Sequence, residues 1–560
     1  MKPTPLLDIQ DLSVGFNSNY LEITVVDHIS FSLNESETLA VVGESGSGKT
    51  VTALAILNLI PSPPGNISSG KILFRNREGE VMDLLQMDVH KMQKIRGRSI
   101  SMIFQEPMTS LNPVFTCGDQ VMESLRVHLA YSKRQARVKV LDLFSEVMLP
   151  RPDEVFKAYP HQLSGGQKQR VMISMAISCN PDILIADEPT TALDVTVQKT
   201  ILELMKNLQG SRKMSILFIT HDLGIVAGFA NRVLVMNKGK IVEEGTVDDI
   251  FQKPRHPYTR GLLACRPPLD IRLKRLPTIE KYLVNENIES EKIVTPVQRK
   301  KEHERIFARE PILKVEKISK QFGSFTALEN ASFQVYPGET LGIVGESGSG
   351  KTTLARVVLE LIPASEGRIL YQDQDITKLT AGKLKKLHKD LQIIFQDPYS
   401  SLNPRLAIGL AILEPMKVHG LHENETGRKV RVMELLQKVG LNPEHYYRYP
   451  HEFSGGQRQR ICIARALAVE PRLIICDESV SALDVSIQAQ VLNLLNDLKK
   501  DFGLTYIFIS HDLSVVKFMS DRLIVMKNGK IEEMGEADEV YANPQTEYTR
   551  ALLDAIPGNK

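Results

Sequence analysis

The chain has 560 residues, room for two large domains or three to four ordinary ones at about 150 residues each, so a single compact core is excluded. Hydrophobic residues make up 42%, the share of a soluble globular protein and not of a disordered, collagenous or coiled-coil chain. With 69 Lys and Arg against 67 Asp and Glu, the formal net charge of +2 supplies no global field that would draw the chain onto nucleic acid or an anionic bilayer.

The beginning, MKPTPLLDIQDLSV, is interrupted by Asp8 and Asp11, so it lacks the apolar stretch of about 7–15 residues that a signal peptide needs. One of the longest apolar runs, Leu406 to Leu413, lies between Arg405 and Glu414 and is far short of the roughly 20 residues of a spanning helix. Cysteines at 117, 179, 265, 462 and 476 form no C-x-x-C and no paired framework, which points to a reducing compartment. The expectation is a cytosolic chain that reaches a membrane only through a partner.

From residue 41 onward the chain repeats itself. VVGESGSGKT (41–50) returns as IVGESGSGKT (343–352), IFQEPMTSLNP (103–113) as IFQDPYSSLNP (394–404), and YPHQLSGGQKQR (159–170) as YPHEFSGGQRQR (449–460). ILIADE (183–188) returns as LIICDE (473–478), and THDL (220–223) as SHDL (510–513). The offset is 302 at the lysines and 290 or 291 from Gln105 on, so the first copy carries 11 extra residues between its Lys and its Gln. Two homologous domains are expected, at 1–270 and 310–560. Residues 271–309, rich in charge and including Arg299, Lys300, Lys301 and Glu302, read as a solvated linker. If flexible, it spans about 35 Å, enough for the two domains to meet within one molecule.

Short apolar runs that end abruptly in polar chemistry, LAVVG, DILIA and SILFIT with their second-copy equivalents, read as buried parallel strands. Ligands of open α/β sheets sit beyond the carboxyl ends of such strands, so three strand ends converge on one crevice. Lys238-Gly239 and Asn528-Gly529 mark tight hairpins, expected in a peripheral sheet. Residues 114–162 and 405–452 read as helical subdomains. The fold class is therefore α/β, each half with a mostly parallel core sheet, a peripheral antiparallel sheet and a helical subdomain.

Gly43, Glu44, Ser45, Gly46, Ser47, Gly48, Lys49 and Thr50 form a G-x-x-x-x-G-K-[ST] loop between strand and helix, repeated by Gly345, Glu346, Ser347, Gly348, Ser349, Gly350, Lys351 and Thr352. Backbone N–H groups curl around phosphates, the lysine reaches the β- and γ-phosphates, and the threonine hydroxyl serves Mg²⁺. Val51 and Thr353 continue each loop into its helix. Asp187 and Asp477, at the ends of strands, can hold Mg²⁺, and the adjacent Glu188 and Glu478 can orient or deprotonate the attacking water. Alone, such carboxylate pairs would equally suit a helix start; beside a P-loop the catalytic reading prevails. His221 and His511 occupy equivalent places and read as γ-phosphate contacts. Ser164-Gly165-Gly166-Gln167 and Ser454-Gly455-Gly456-Gln457 describe an anion site at a helix N-terminus.

The order P-loop, IFQ[ED]P, SGGQ, apolar-DE, [ST]ALD, [ST]HD resembles the nucleotide-binding domain of ABC ATPases in both halves. The resemblance implies head-to-tail pairing of the two halves, with each ATP held between the P-loop of one and the SGGQ of the other. One site would then combine Lys49, Thr50, Gln105, Asp187, Glu188 and His221 with Ser454, Gly456 and Gln457. The other would combine Lys351, Thr352, Gln396, Asp477, Glu478 and His511 with Ser164, Gly166 and Gln167. Gln105 and Gln396 are implied as further metal contacts, and Asp194 and Asp484 as the loop crossing the interface. Both sites are expected to be competent. For the aromatic residue that stacks on adenine, Phe322 matches in the second half; in the first, Phe16 matches from its strand and Tyr20 by counting back from Lys49.

SLNP after each IFQ[ED]P, YPH before both signature loops, and HPYTRGLL (256–263) with EYTRALL (547–553) resemble the oligopeptide, dipeptide and nickel importers. The twin arrangement looks most like ATP-binding subunits of microcin C or peptide importers, with glutathione importers close behind. That likeness implies two membrane permeases as partners, an extracytoplasmic binding protein acting indirectly, no nucleic acid, and a place at the cytoplasmic face of the inner membrane. With only Cys265 near the first C-terminal tail, the iron–sulfur site of some relatives is not expected. Departures are Ser479-Val480 in place of Pro-Thr, and Phe453 in place of the signature Leu. The competing class is a soluble twin ATPase such as a ribosome-associated translation factor. Those resemble DEPTNHLD, whereas this chain reads DEPTTALD (187–194) and DESVSALD (477–484). A DNA-repair ATPase would be expected to show zinc-type cysteine spacing, which the sequence lacks.

Overall fold

The computed structural model describes residues 4–18, 21–105, 110–191, 193–284 and 293–556. Tyr20, part of the IFQEP segment and Ala192 lie outside them. Each half builds a six-stranded sheet. In the first the order is Lys240–Thr246, Arg232–Asn237, Thr38–Val42, Ser215–Thr220, Ile183–Asp187, Ile100–Ile103, and in the second the equivalent strands follow the same order. Thr38–Val42, Ile183–Asp187 and Ser215–Thr220 are buried along their whole length and pair in parallel. Continuous apolar runs covered on both faces leave no solvent side for an alternating pattern. A four-stranded antiparallel sheet, Leu21–Leu33, Leu7–Ser18, Gly65–Arg75 and Val81–Asp83, lies beside it, with a counterpart in the second half.

The hairpins at Lys238-Gly239 and Asn528-Gly529 form, with positive φ at both turn residues in each. This geometry matches the twist of the flanking strands. They belong to the edge of the six-stranded sheet, not to the peripheral one, because Arg232–Asn237 pairs with the central strand Thr38–Val42. The hairpin also reaches the peripheral sheet: Asp27 N–H donates to the Gly239 carbonyl at 2.9 Å, Lys240 meets the Asp27 carboxylate at 3.1 Å, and Leu234 and Met236 pack with Val26 and Ile29. Helices Cys117–Leu129 and Lys133–Glu146 make the first helical subdomain, closed by Val121, Leu125, Val140, Leu143 and Phe144. Ile408–Val418 and Glu425–Lys438 are their counterparts in the second half.

The interdomain segment departs from the solvated tether expected of it. Leu276 and Ile279 are buried in a core cluster shared with both halves, and Asn493 pairs with the backbone of Leu276 through two hydrogen bonds of 2.9 Å. Helix Pro296–Phe307 turns Arg299, His303 and Ile306 inward. Arg299 meets Asp521 at 2.7 Å, and Asp521 also takes Lys499 at 3.1 Å and the Thr340 N–H at 2.7 Å. Burial alone would raise the Asp521 carboxyl, but Lys499, His303, Arg299 and the Thr340 amide pull it well below the usual carboxylate range. The segment shows no apolar periodicity because Arg and His carry two of the three inward positions. Only Lys300, Lys301 and Glu302 of its charge run face solvent.

Candidate functional site

Each P-loop is shaped by close approach. A Cβ on Gly43 would come within 2.2 Å of the Met236 carbonyl oxygen, and one on Gly48, at φ 100°, within 2.8 Å of that of Val25. Above Gly46 the space is open. Lys49 is buried, with its ammonium on the Gly43 and Glu44 carbonyls at 2.8 Å each. Burial lowers its pKa, against the pull of Glu188, Asp484 and Asp187. Lys351 repeats this on Gly345 and Glu346 at 2.8 and 2.9 Å.

Thr50 donates to Asp187 at 3.2 Å, and Thr352 to Asp477 at the same distance. Burial pushes Asp187 up to about 6, opposed by the Thr50 hydrogen bond. A carboxylate and a hydroxyl are hard oxygen donors, the kind a small divalent cation takes, and its charge would offset that burial. Glu188 and Glu478 each follow their strand at positive φ, 47° and 48°. This costly backbone conformation is held by an N–H bond of 2.9 Å to Ile219 or Ile509.

The Glu188 carboxylate accepts from Gln105 at 3.0 Å and Thr191 at 3.0 Å, and meets His221 Nδ1 at 3.2 Å. Burial would raise Glu188, yet the His221 and Thr191 contacts take it down to about 2. His221 is lowered by burial but raised more by Glu188. In the second half Glu478 accepts from Gln396 at 2.8 Å and meets His511 at 3.3 Å. There Ser481 turns instead to the Glu478 carbonyl at 2.9 Å. Gln105 and Gln396 thus each donate an amide N–H to the glutamate of their own half.

The halves meet head to tail. Ser45 N–H donates to Asp484 at 3.0 Å, and Ser347 N–H to Asp194 at 2.6 Å. A cavity of about 380 Å³ lies over Lys351, Thr352, Thr353, Gln396, Glu478 and His511, closed from the first half by Thr191, Leu193 and Asp194. Ser164, Gly165, Gly166 and Gln167 do not line it. Ser164 caps its own helix, accepting from the Gln167 N–H at 3.3 Å while Gln167 accepts from the Ser164 N–H at 3.0 Å. Ser454 and Gln457 do the same at 3.4 and 3.1 Å. A Cβ on Gly166 would meet Val197 at 2.8 Å, and one on Gly456 would meet Ile487 at 2.3 Å. These glycines therefore also serve packing within their own halves.

The aromatic expectations need adjusting. Phe325, not Phe322, lines the cavity; Phe322 is its strand partner across a two-residue turn and carries Lys320 over its ring at 5.0 Å. Directly opposed residues of an antiparallel pair share a face, and both rings are exposed; what separates them is place along the hairpin, which brings Phe325 to the cavity. Phe16 packs on the core, with Gly65 beside its ring, and its strand partner, the exposed Ile23, stands where Phe325 does.

With this geometry in place, comparison with known proteins decides the family. The ABC transporter family matches residues 26–191 and 328–481, and the oligopeptide/dipeptide transporter C-terminal region matches 242–289 and 533–560. The chain belongs to the ABC transporter family. It is 49% identical over 563 residues to the glutathione import ATP-binding protein GsiA of Escherichia coli (strain K12), covering 99% of this chain and 89% of that one. To the protein of that name from Salmonella typhimurium (strain LT2) it is 48% identical over 571 residues, with the same coverage. Among solved structures, cbiO1 from Clostridium perfringens aligns with 42% of this chain and 92% of its own at 29% identity and TM-score 0.39. The ATP-binding cassette MJ0796 bound to ADP and Pi aligns with 40% and 98% at 29% identity and TM-score 0.37. The two ABC halves bind and hydrolyse ATP, and membership implies work with membrane permeases. No described helix is long and apolar enough to cross a membrane. The first C-terminal match runs to 289, well into the segment expected to be linker.

Proposed function

We propose that this ABC protein powers import of small peptides or peptide-like compounds, glutathione among them, by hydrolysing ATP at two composite sites. The twinned C-terminal regions and the near full-length likeness to glutathione import ATP-binding proteins support that substrate class. It sits at the cytoplasmic face of the inner membrane on two permease subunits, which receive cargo from an extracytoplasmic binding protein. Microcin-like peptides and nickel are the other cargoes this reading admits.

The observation that carries the two-site mechanism is the reciprocal pair of contacts, Asp484 on the first P-loop and Asp194 on the second. Each places the N-terminus of the opposite half's next helix beside the phosphate cradle. Lys49 and the loop amides bind the triphosphate, and Thr50 with Asp187 would hold Mg²⁺, which supplies charge neutralisation at the β- and γ-phosphates. Glu188, kept ionised by His221 and Thr191, accepts a hydrogen of the attacking water and orients it. His221 is then the donor available to the γ-phosphate. Ser454, Gly456 and Gln457 complete this site when the halves close further. Lys351, Thr352, Asp477, Glu478 and His511 act alike with Ser164, Gly166 and Gln167, and Phe325 offers the base its stacking face.

Purification of the native complex tests the partner reading: two polytopic membrane proteins should accompany the chain. Proteoliposomes holding that complex should take up labelled glutathione or short peptides only with ATP. Recovery of ribosomes without membrane proteins would overturn the proposal.

A further inference from the structure

The tyrosines of HPYTRGLL and EYTRALL are used by none of the ATP chemistry above, yet both reach a P-loop. Tyr258, on helix Pro257–Ala264 and buried, accepts the Glu44 N–H at 3.2 Å and donates to the Glu44 carboxylate at 3.3 Å. Tyr548, on helix Glu547–Asp554, accepts the Glu346 N–H at 3.2 Å. From the opposite half, Ser486 donates to the Glu44 carboxylate, and Thr196 to that of Glu346 at 2.7 Å. Ser486 and Thr196 stand two residues after Asp484 and Asp194, the residues that hold the neighbouring P-loop amides. Each P-loop thus has two successive N–H groups gripped from two sides, one by its own C-terminal helix and one by the opposite half.

A glutamate in a loop built to bind a triphosphate adds like charge to the site. Its presence in both copies therefore calls for a use. Here the carboxylate faces two hydroxyl donors, and a long side chain held by a rigid phenol loses less freedom when the opposite half arrives. We propose that Tyr258 and Tyr548 are positioning residues for ATP hydrolysis. Each sets the glutamate of its own P-loop for contact with Ser486 or Thr196, so that the C-terminal region and the opposite half act on one phosphate loop together. The inference rests on the reading of the P-loops as the ATP sites.

Tyr258→Phe removes only the hydroxyl and leaves the packed ring. In the full-length chain without nucleotide, hydrogen exchange over residues 43–47 and 484–490 should quicken about tenfold, the loss of one charge-assisted hydrogen bond. Residues 345–349 should keep their wild-type rate. ATP turnover should show kcat lowered about tenfold with KM within about twofold. Tyr258→Phe with Ser486→Ala should be no slower than the slower single variant, since both act through Glu44. Quickened exchange confined to 257–264 would reduce Tyr258 to a packing residue of its helix and overturn the proposal. So would unchanged exchange throughout, or losses in kcat that multiply in the double variant. Failure of the wild-type chain to turn over ATP would instead overturn the reading of the sites, whatever the exchange rates.

Discussion

Replacing Arg299 by Met should release the interdomain helix Pro296–Phe307 from the second half. Removing one partner of a buried ion pair costs about 3–5 kcal/mol, because the other charge stays buried and uncompensated. Asp521 keeps Lys499 at 3.1 Å and the Thr340 N–H at 2.7 Å, which places the cost at the low end, about 3 kcal/mol. At about 1.4 kcal/mol per decade, amides of that helix should exchange about a hundredfold faster. The first half suggests the rescue. Asn231, equivalent to Asp521, accepts the Thr38 N–H at 2.8 Å, and Gln209 is equivalent to Lys499. Arg299→Met with Lys499→Gln and Asp521→Asn therefore removes the charge at these three positions while keeping the amide acceptor, with Arg272 still beside Asp538, and exchange should return to within about tenfold of wild type. Hydrogen exchange with peptide-level mass detection reads both. A single variant within threefold of wild type, or a triple variant as fast as the single, would refute the ion-pair argument. The pH dependence has a definite sign: Asp521 is lowered on folding. Its contribution is therefore full above the ordinary carboxylate pKa and is lost as pH falls through the lower folded value. Acid should free the helix only below about pH 4.

Glu188→Gln with Glu478→Gln should keep ATP binding and cut turnover by about a hundredfold or more; wild-type turnover would refute the assignment of the two carboxylates. Phe325→Ala should weaken nucleotide binding at the second site by about tenfold through lost stacking, read by titration with a fluorescent ATP analogue, whereas Phe322→Ala should change it less than twofold. In hydrolysis-blocked protein, Lys49→Ala with Ser454→Ala should retain about one tightly held ATP, since both belong to one composite site. Lys49→Ala with Ser164→Ala should retain close to none. Filter binding counts the nucleotide, and equal occupancy in the two variants would exclude head-to-tail sharing.

The sequence alone determined the duplication, the α/β class and the residues at the strand ends. Phosphate chemistry needs glycines, a lysine and paired carboxylates at set spacings, and those requirements are local. Tertiary structure decided whatever depends on contact between distant segments. Asp484 lies 439 positions from Ser45, and Tyr258 lies 214 from Glu44; no local spacing encodes either meeting. The interdomain segment makes the same point, since a helix face formed by Arg299, His303 and Ile306 reads as solvated charge until Asp521 is placed against it. Phe322 and Phe325 are interchangeable in composition and opposed across one hairpin, and only the fold shows that Phe325 lines the cavity. Residue chemistry is written along the chain, whereas burial and charge pairing are properties of the packed fold. The proposed catalytic groups are therefore named by the sequence and the interface aspartates by the family resemblance, whereas the tyrosine contacts and the interdomain cluster come only from the fold.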